Sequence, residues 1–145
     1  MAEYLPTVRS NFKVEIDGVD FGNFLSVSGL GSSADVVEFI GGMDKNAKKR
    51  TSKVKYETLV LKRCTDPRNS ALRKWWGTVE KGESVKKAVS IVFMDESGTN
   101  EILRRNCFEC IPVGWSMDEL NAQESGSIIE TLSIAYEDAK WDPEG

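Results

Sequence analysis

The sequence predicts a mainly β protein, a small barrel or sandwich of about seven strands with one flanking α-helix and an extended loop. Three observations carry this reading. Short runs of alternating apolar and polar residues recur along the chain, turn signals separate them, and only one segment has helical spacing. With 145 residues, 40% hydrophobic and 29% charged, the chain fits one folded domain over 1–145.

The first element is a hairpin. Phe12, Val14 and Ile16 alternate with Lys13, Glu15 and Asp17, and Asp17-Gly18 then turns the chain into Val19 and Phe21. Alternation around Asp-Gly is the strongest short-range hairpin signal. "SVSGLGSS" reads as a strand ending in a loop, and "ADVVEFI" as a further strand rich in β-branched residues. From Gly41 the chain loses any hydrophobic period until Val54, which predicts an extended loop over about 41–53. "KVKYETLVLKR" then reads as one long strand. Its apolar phase changes between Val54/Tyr56 and Leu59/Leu61, which predicts a bulge or burial of both faces.

The helix is expected over about 67–80. Asp66 suits the cap, Pro67 the first helical position, and Leu72, Trp75, Trp76 and Val79 share a helical face, with Gly82 as a stop. "AVSIVFMDESG" alternates into an Asp-Glu-Ser-Gly turn, and "NEILRRNCFEC" pairs back across it. Pro112 and Gly114 are expected to break this strand before a loop, "GWSMDELNAQESG". The last strand places Ile128, Leu132, Ile134 and Tyr136 on one face, with Ile129, Thr131, Ser133 and Ala135 on the other.

Charge is segregated along the chain. The net charge is −4, but residues 41–74 hold eleven basic and three acidic residues, whereas 116–145 hold Lys140 against eight acids. Residues 1–40 hold two basic and six acidic residues. A basic run of this kind raises the alternative of a small nucleic-acid-binding module built on residues 41–74. The run lacks interleaved aromatics before Tyr56, and the whole chain is acidic. No apolar run approaches the ~20 residues of a membrane span, and the opening "MAEYLPTVRSN" has no secretory core, so the cytoplasm is the expected compartment.

Catalytic chemistry is poorly supplied, and the expectation is a protein that is not an enzyme and takes no cofactor or metal. There is no histidine, which removes Ser-His and Cys-His dyads and His-ligated metals together. No phosphate-cradling or dinucleotide glycine pattern is present. Cys107 and Cys110 match C-x-x-C, but both fall on an expected strand, where residues three apart point to opposite faces. Only Cys64 remains to complete a metal set. They read as small, half-buried residues. Glu130 is anomalous, sharing a phase with Ile128, Leu132 and Ile134, and is expected to bond locally or to a neighbouring subunit. Arg63, a cation on the Leu59/Leu61 phase, is set beside it as a second structural or inter-subunit polar residue.

Taken in order, "FKVEIDGVDFGNFLSVSGL", Gly41-Gly42, "KYETLVLKR", "LRKWW", "VSIVFMDESG", the Asn106 and Pro112 region and "IETLSIAYED" resemble the inner-tube protein family of contractile phage tails and phage-tail-like contractile injection systems. The resemblance runs from about Asn11 to Asp138. It implies a β-barrel with one flanking helix, assembled with copies of itself into hexameric rings that stack into a hollow tube. Further partners it implies are a surrounding contractile sheath, baseplate or spike and tube-terminating proteins, and DNA or protein cargo in the lumen. It also implies a later location in a virion tail or an extracellular or cell-associated injection particle. The family's ring-to-ring loop maps onto Gly41, Gly42, Lys45, Lys48, Lys49, Arg50 and Lys53.

Overall fold

The computed structural model describes residues 11–21, 24–43 and 45–144. The first hairpin is β1 (Phe12–Ile16) and β2 (Val19–Asp20). Asp17 and Gly18 both have positive φ, 51° and 80°, the geometry that a two-residue turn between right-twisted strands requires. Asp17 also fixes the hairpin to the sheet, because its backbone N–H donates to the Ala88 carbonyl at 2.8 Å and its carboxylate accepts the Ala88 N–H at 2.9 Å.

Eight further strands and one helix follow: β3 (Ser26–Ser28), β4 (Ser32–Phe39), β5 (Lys48–Tyr56), β6 (Leu59–Cys64), α1 (Ala71–Glu80), β7 (Lys87–Met94), β8 (Glu101–Met117), β9 (Ile129–Ala135) and β10 (Asp138–Asp142). The main sheet is antiparallel with order β2-β1-β7-β8-β9-β6-β3, and β10 pairs with β8. The seventeen-residue β8 organises it. Its first half lies between β7 and β10, and its second half pairs with β9. The sheet curls without closing: β2 and β3 form its ends and do not pair with each other. An apolar cavity of about 340 Å³ lies between Leu25, Val27 and Leu30 on the β3 side and Phe12, Ile91 and Phe93 on the β1–β7 side.

The core is the concave content of that sheet. Val14, Ile16, Leu59, Leu61, Val89, Ile91, Leu132 and Ile134 are all buried in one cluster, to which α1 adds Leu72 and Trp75. The Trp75 indole N–H donates to the Val85 carbonyl at 2.8 Å, so its polar end is satisfied as the ring is buried. Gly29 has a φ of +87°, and a Cβ there would overlap the Thr58 carbonyl oxygen. Glycine is therefore required where β3 leaves the sheet.

Several elements differ from the sequence expectation. The loop expected over 41–53 is shorter: from Lys48 the chain is strand β5, paired with β4 in register Phe39↔Lys48 to Ser32↔Tyr56. β5 and β6 are separate strands, so the phase change across Glu57-Thr58 marks two sheets rather than one bulged strand. α1 begins at Ala71, not at Pro67, because Asp66 and Asn69 organise a turn instead. The Asp66 carboxylate accepts the Arg68 N–H at 2.9 Å, and the Asn69 side chain accepts the Ala71 N–H at 3.2 Å.

Pro112 and Gly114 do not end β8. A register shift between them absorbs the irregularity and the strand continues to Met117. Cys107 and Cys110 do not point to opposite faces and are not half-buried. Glu109 has a φ of 54° beside a second register shift, and this bulge turns both thiols into the core at 0% exposure. Burial pushes them up to about 11 and about 12 respectively, so they are neutral thiols at ordinary pH. Ile128 is exposed and precedes β9, and β10 was not foreseen.

Candidate functional site

The expected ring-to-ring residues lie on a two-stranded ribbon, β4–β5, that forms its own sheet. Neither strand has a buried residue. Val36, Val37, Phe39, Ile40 and Met43 are 59%, 51%, 39%, 73% and 98% exposed. β4 has the β-branched composition of a strand, whereas β5, "KKRTSKVKY", is polar on both of its faces from Lys48 to Lys53, where the ribbon is solvated, and gains Val54 and Tyr56 only as it nears the main sheet. The pairing places Val36 and Glu38 on one side with Thr51 and Lys49, and Val37 and Phe39 on the other with Arg50 and Lys48. The Arg50 guanidinium lies 5.0 Å from the Phe39 ring centroid, and Lys49 approaches Glu38 at 3.9 Å. A shift between Ala34 and Val36 kinks the ribbon, and there the Ser52 hydroxyl accepts the Asp35 N–H at 3.0 Å.

Lys45 lies in the connection at the ribbon's tip, and Lys48, Lys49, Arg50 and Lys53 follow along β5, all exposed. Gly41 is partly buried and Gly42 exposed. A Cβ at Gly42 would meet nothing within 4 Å, so space does not demand glycine there.

Arg63 and Glu130 come together elsewhere, inside the domain, as a register pair between β6 and β9. Their side chains are 5% and 1% exposed, and Arg63 Nε donates to Glu130 Oε1 at 2.7 Å. The other oxygen accepts the Trp115 indole N–H at 3.3 Å, with Arg73 Nη1 of α1 at 3.6 Å. Arg63 Nη2 reaches on to the Asn69 carbonyl at 3.0 Å, and Arg73 Nη2 to the Asp66 carbonyl at 3.2 Å. One buried carboxylate thus ties β6, β8, β9 and α1 together, and both of its oxygens have donors. Arg73 and Trp115 were not singled out from sequence. Trp115 lay beyond the expected strand break, and Arg73 on a helix face that reads as solvent-facing.

The contacts of this acid are those of a structural ion pair: among the described residues, its two oxygens meet the Arg63 and Arg73 guanidinium groups and the Trp115 indole N–H. Among the described residues no group of three or more histidine, cysteine or acidic side chains comes together as a metal site. None of the described helices is long and apolar enough to cross a membrane.

The T4-like virus tail tube protein gp19 family model matches residues 8–140. The chain belongs to that family. Solved structures extend the likeness to the whole fold. The anti-feeding prophage cap (AFP tube terminating cap) matches with a TM-score of 0.84 at 19% identity, covering 97% of this chain and 93% of that one. The sheath-tube complex of an extracellular contractile injection system, PVC, in its extended state gives 0.82 at 20% identity, with 94% and 90% covered. Hcp1 from Flavobacterium johnsoniae is more distant, at 0.56 and 14% identity over 90% and 93%. No curated protein matches the sequence. At such identities the structures establish a shared fold, and the family model establishes a gp19-type tail tube protein. The family is one of structural tube proteins. In this gp19 family member the open, curled sheet with one helix is the tube fold, and the β4–β5 ribbon is its projecting part.

Proposed function

We propose that this chain is the self-assembling subunit of the rigid inner tube of a contractile tail or contractile injection system, with copies closing into hexameric rings that stack into a conduit for DNA or protein effectors. The observation that carries it is the β4–β5 ribbon. A lone two-stranded hairpin is marginal in water, and this one exposes six large apolar side chains, Val54 of β5 among them, along with its cations. Such a ribbon gains its stability by lying against another surface, and Gly41, Gly42, Lys45, Lys48, Lys49, Arg50 and Lys53 are its ring-stacking residues. Lateral closure has its own means. β2 and β3 end the main sheet, and an open sheet edge is a template for pairing with a neighbour. The Arg63–Glu130 pair acts as an internal strut that keeps the sheet and helix rigid under these contacts.

The partners follow from the company that similar structures keep: a sheath around the tube, a terminating cap and a baseplate. The nucleic-acid reading of the basic segment is less favoured. Arg50 lies over the Phe39 ring and Tyr56 packs on Tyr136 with centroids 5.1 Å apart, so both aromatics of the ribbon already have a cation or ring partner.

Electron microscopy of the purified protein tests the proposal, with rings and tubes as the expected result. Reversing Lys48, Lys49 and Arg50 to glutamate should leave rings but abolish stacking. A strictly monomeric wild type across wide ranges of salt and concentration would defeat it.

A further inference from the structure

The ribbon needs a docking surface, and the topology points to one. β6 runs from Leu59 to Cys64, a span of about 17 Å at the usual rise per residue. The ribbon leaves at its first end, where the Glu57 N–H donates to the Gly31 carbonyl at 3.0 Å just before Leu59. The β8–β9 loop, Asp118–Ile128, leaves at the other end, where Cys64 pairs with Ile129 and the Thr65 N–H donates to the Ile128 carbonyl at 2.8 Å. The two projections therefore depart from opposite ends of the domain.

They are also opposite in charge. The ribbon and its tip carry Lys45, Lys48, Lys49, Arg50, Lys53 and Lys55. No lysine or arginine occurs between Arg105 and Lys140, and the β8–β9 loop holds Asp118, Glu119 and Glu124 with no cation. Glu119 and Glu124 form no ion pair with another described residue. The loop outlines a shallow, open concavity of about 630 Å³ lined by these acids together with Leu120 and Ile128. Leu120 is 75% exposed, and the ribbon offers Ile40 and Met43, 73% and 98% exposed, at its own tip. The ribbon and its tip also carry Asp35, Glu38 and Asp44, so the six cations leave a net positive charge against the loop's three acids. Each surface thus combines apolar side chains with a net charge opposite to the other's, and complementary fields of this kind set register and orientation.

We propose that the β4–β5 ribbon of one copy docks head to tail on the acidic β8–β9 loop of the next copy along the stack. The inference rests on the stacking role of the ribbon given above and names its receptor. Opposite poles give an interface that repeats by translation along one axis and imposes a single polarity on the assembly. Because the charges are exposed, the contact weakens as salt shortens the screening length from about 30 Å at 0.01 M to about 3 Å at 1 M.

A charge swap tests it. Three variants are compared at low salt by electron microscopy and sedimentation: K48E/K49E/R50E, E119K/E124K, and the two sets combined. Asp118 is left in place because its carboxylate accepts the Ile129 N–H at 3.2 Å and closes the loop. Circular dichroism melts confirm that each variant folds. The expected result is loss of stacking in each separate set and recovery of tubes in the combination. Carbodiimide cross-linking of wild-type tubes should join Lys48 or Lys49 to Glu119 or Glu124. Loss of stacking in the ribbon variant with unchanged tubes in E119K/E124K overturns the receptor and leaves the stacking role standing. Failure of the combined variant to recover, or no such cross-link, also overturns the receptor. Unchanged tubes in the ribbon variant overturn the stacking role itself.

Discussion

Replacing Arg63 with methionine isolates the electrostatic part of the internal strut. The substitution keeps an apolar stem but removes the donor 2.7 Å from Glu130 Oε1. Glu130 is 1% exposed, so water cannot take the donor's place. Breaking a buried pair by removing one partner typically costs 3–5 kcal/mol. The second oxygen keeps the Trp115 indole at 3.3 Å and Arg73 at 3.6 Å, which places this case at the lower end, about 3 kcal/mol. For a chain of this size that corresponds to a fall of roughly 6–12 °C in Tm. Urea unfolding followed by tryptophan fluorescence reads the change. It is run at one protein concentration and at salt high enough to suppress stacking, because assembly stabilises by mass action. The double variant R63M/E130Q removes both charges while the new amide oxygen can still accept the Trp115 indole N–H, and it should recover at least half of the loss. A cost below about 1 kcal/mol for R63M, or a double variant no better than R63M, would refute the strut.

Other perturbations are equally direct. Gly29→Ala meets both a positive φ and the Thr58 carbonyl, whereas Gly18→Ala meets a positive φ with open space around it. The first should cost more than about 3 kcal/mol and the second about 1 kcal/mol in the same urea assay; equal losses would contradict the close approach. In native, unstacked protein near pH 8, a thiol reagent should modify Cys64 alone, and should reach Cys107 and Cys110 only in denaturant. Because burial raises those two thiols from 9.0 to about 11 and about 12, they stay neutral in the fold while the unfolded chain ionises. Their contribution is complete below pH 9 and is lost as pH rises through 11–12. A chain whose stability stays flat over that alkaline range would count against the buried thiols.

What the sequence disclosed and concealed has physical causes. The β1–β2 hairpin and β9 were legible because each buries one face and so must alternate, and the Asp17-Gly18 turn carries its own chemistry. Glu130 was legible as an anomaly for the same reason. Its partner lies 67 positions away, and only the β6–β9 register unites them. β5 was concealed because a ribbon solvated on both faces needs no hydrophobic period, so "KKRTSK" reads as loop. The cysteines misled because one left-handed residue, Glu109, resets the two-residue period of a strand. The fold class survived these local errors because alternation, turns and the lone helix each pointed to it. The ribbon's exposure, by contrast, is a property of packing, and no local pattern encodes it.

The central claim is self-assembly into rings that stack, and native mass spectrometry of the purified protein at low salt tests it most directly. The account predicts a closed species at about six times the 16.2 kDa chain mass, with multiples of it as rings stack. A spectrum showing only the single chain, unchanged from low to high concentration, would contradict it.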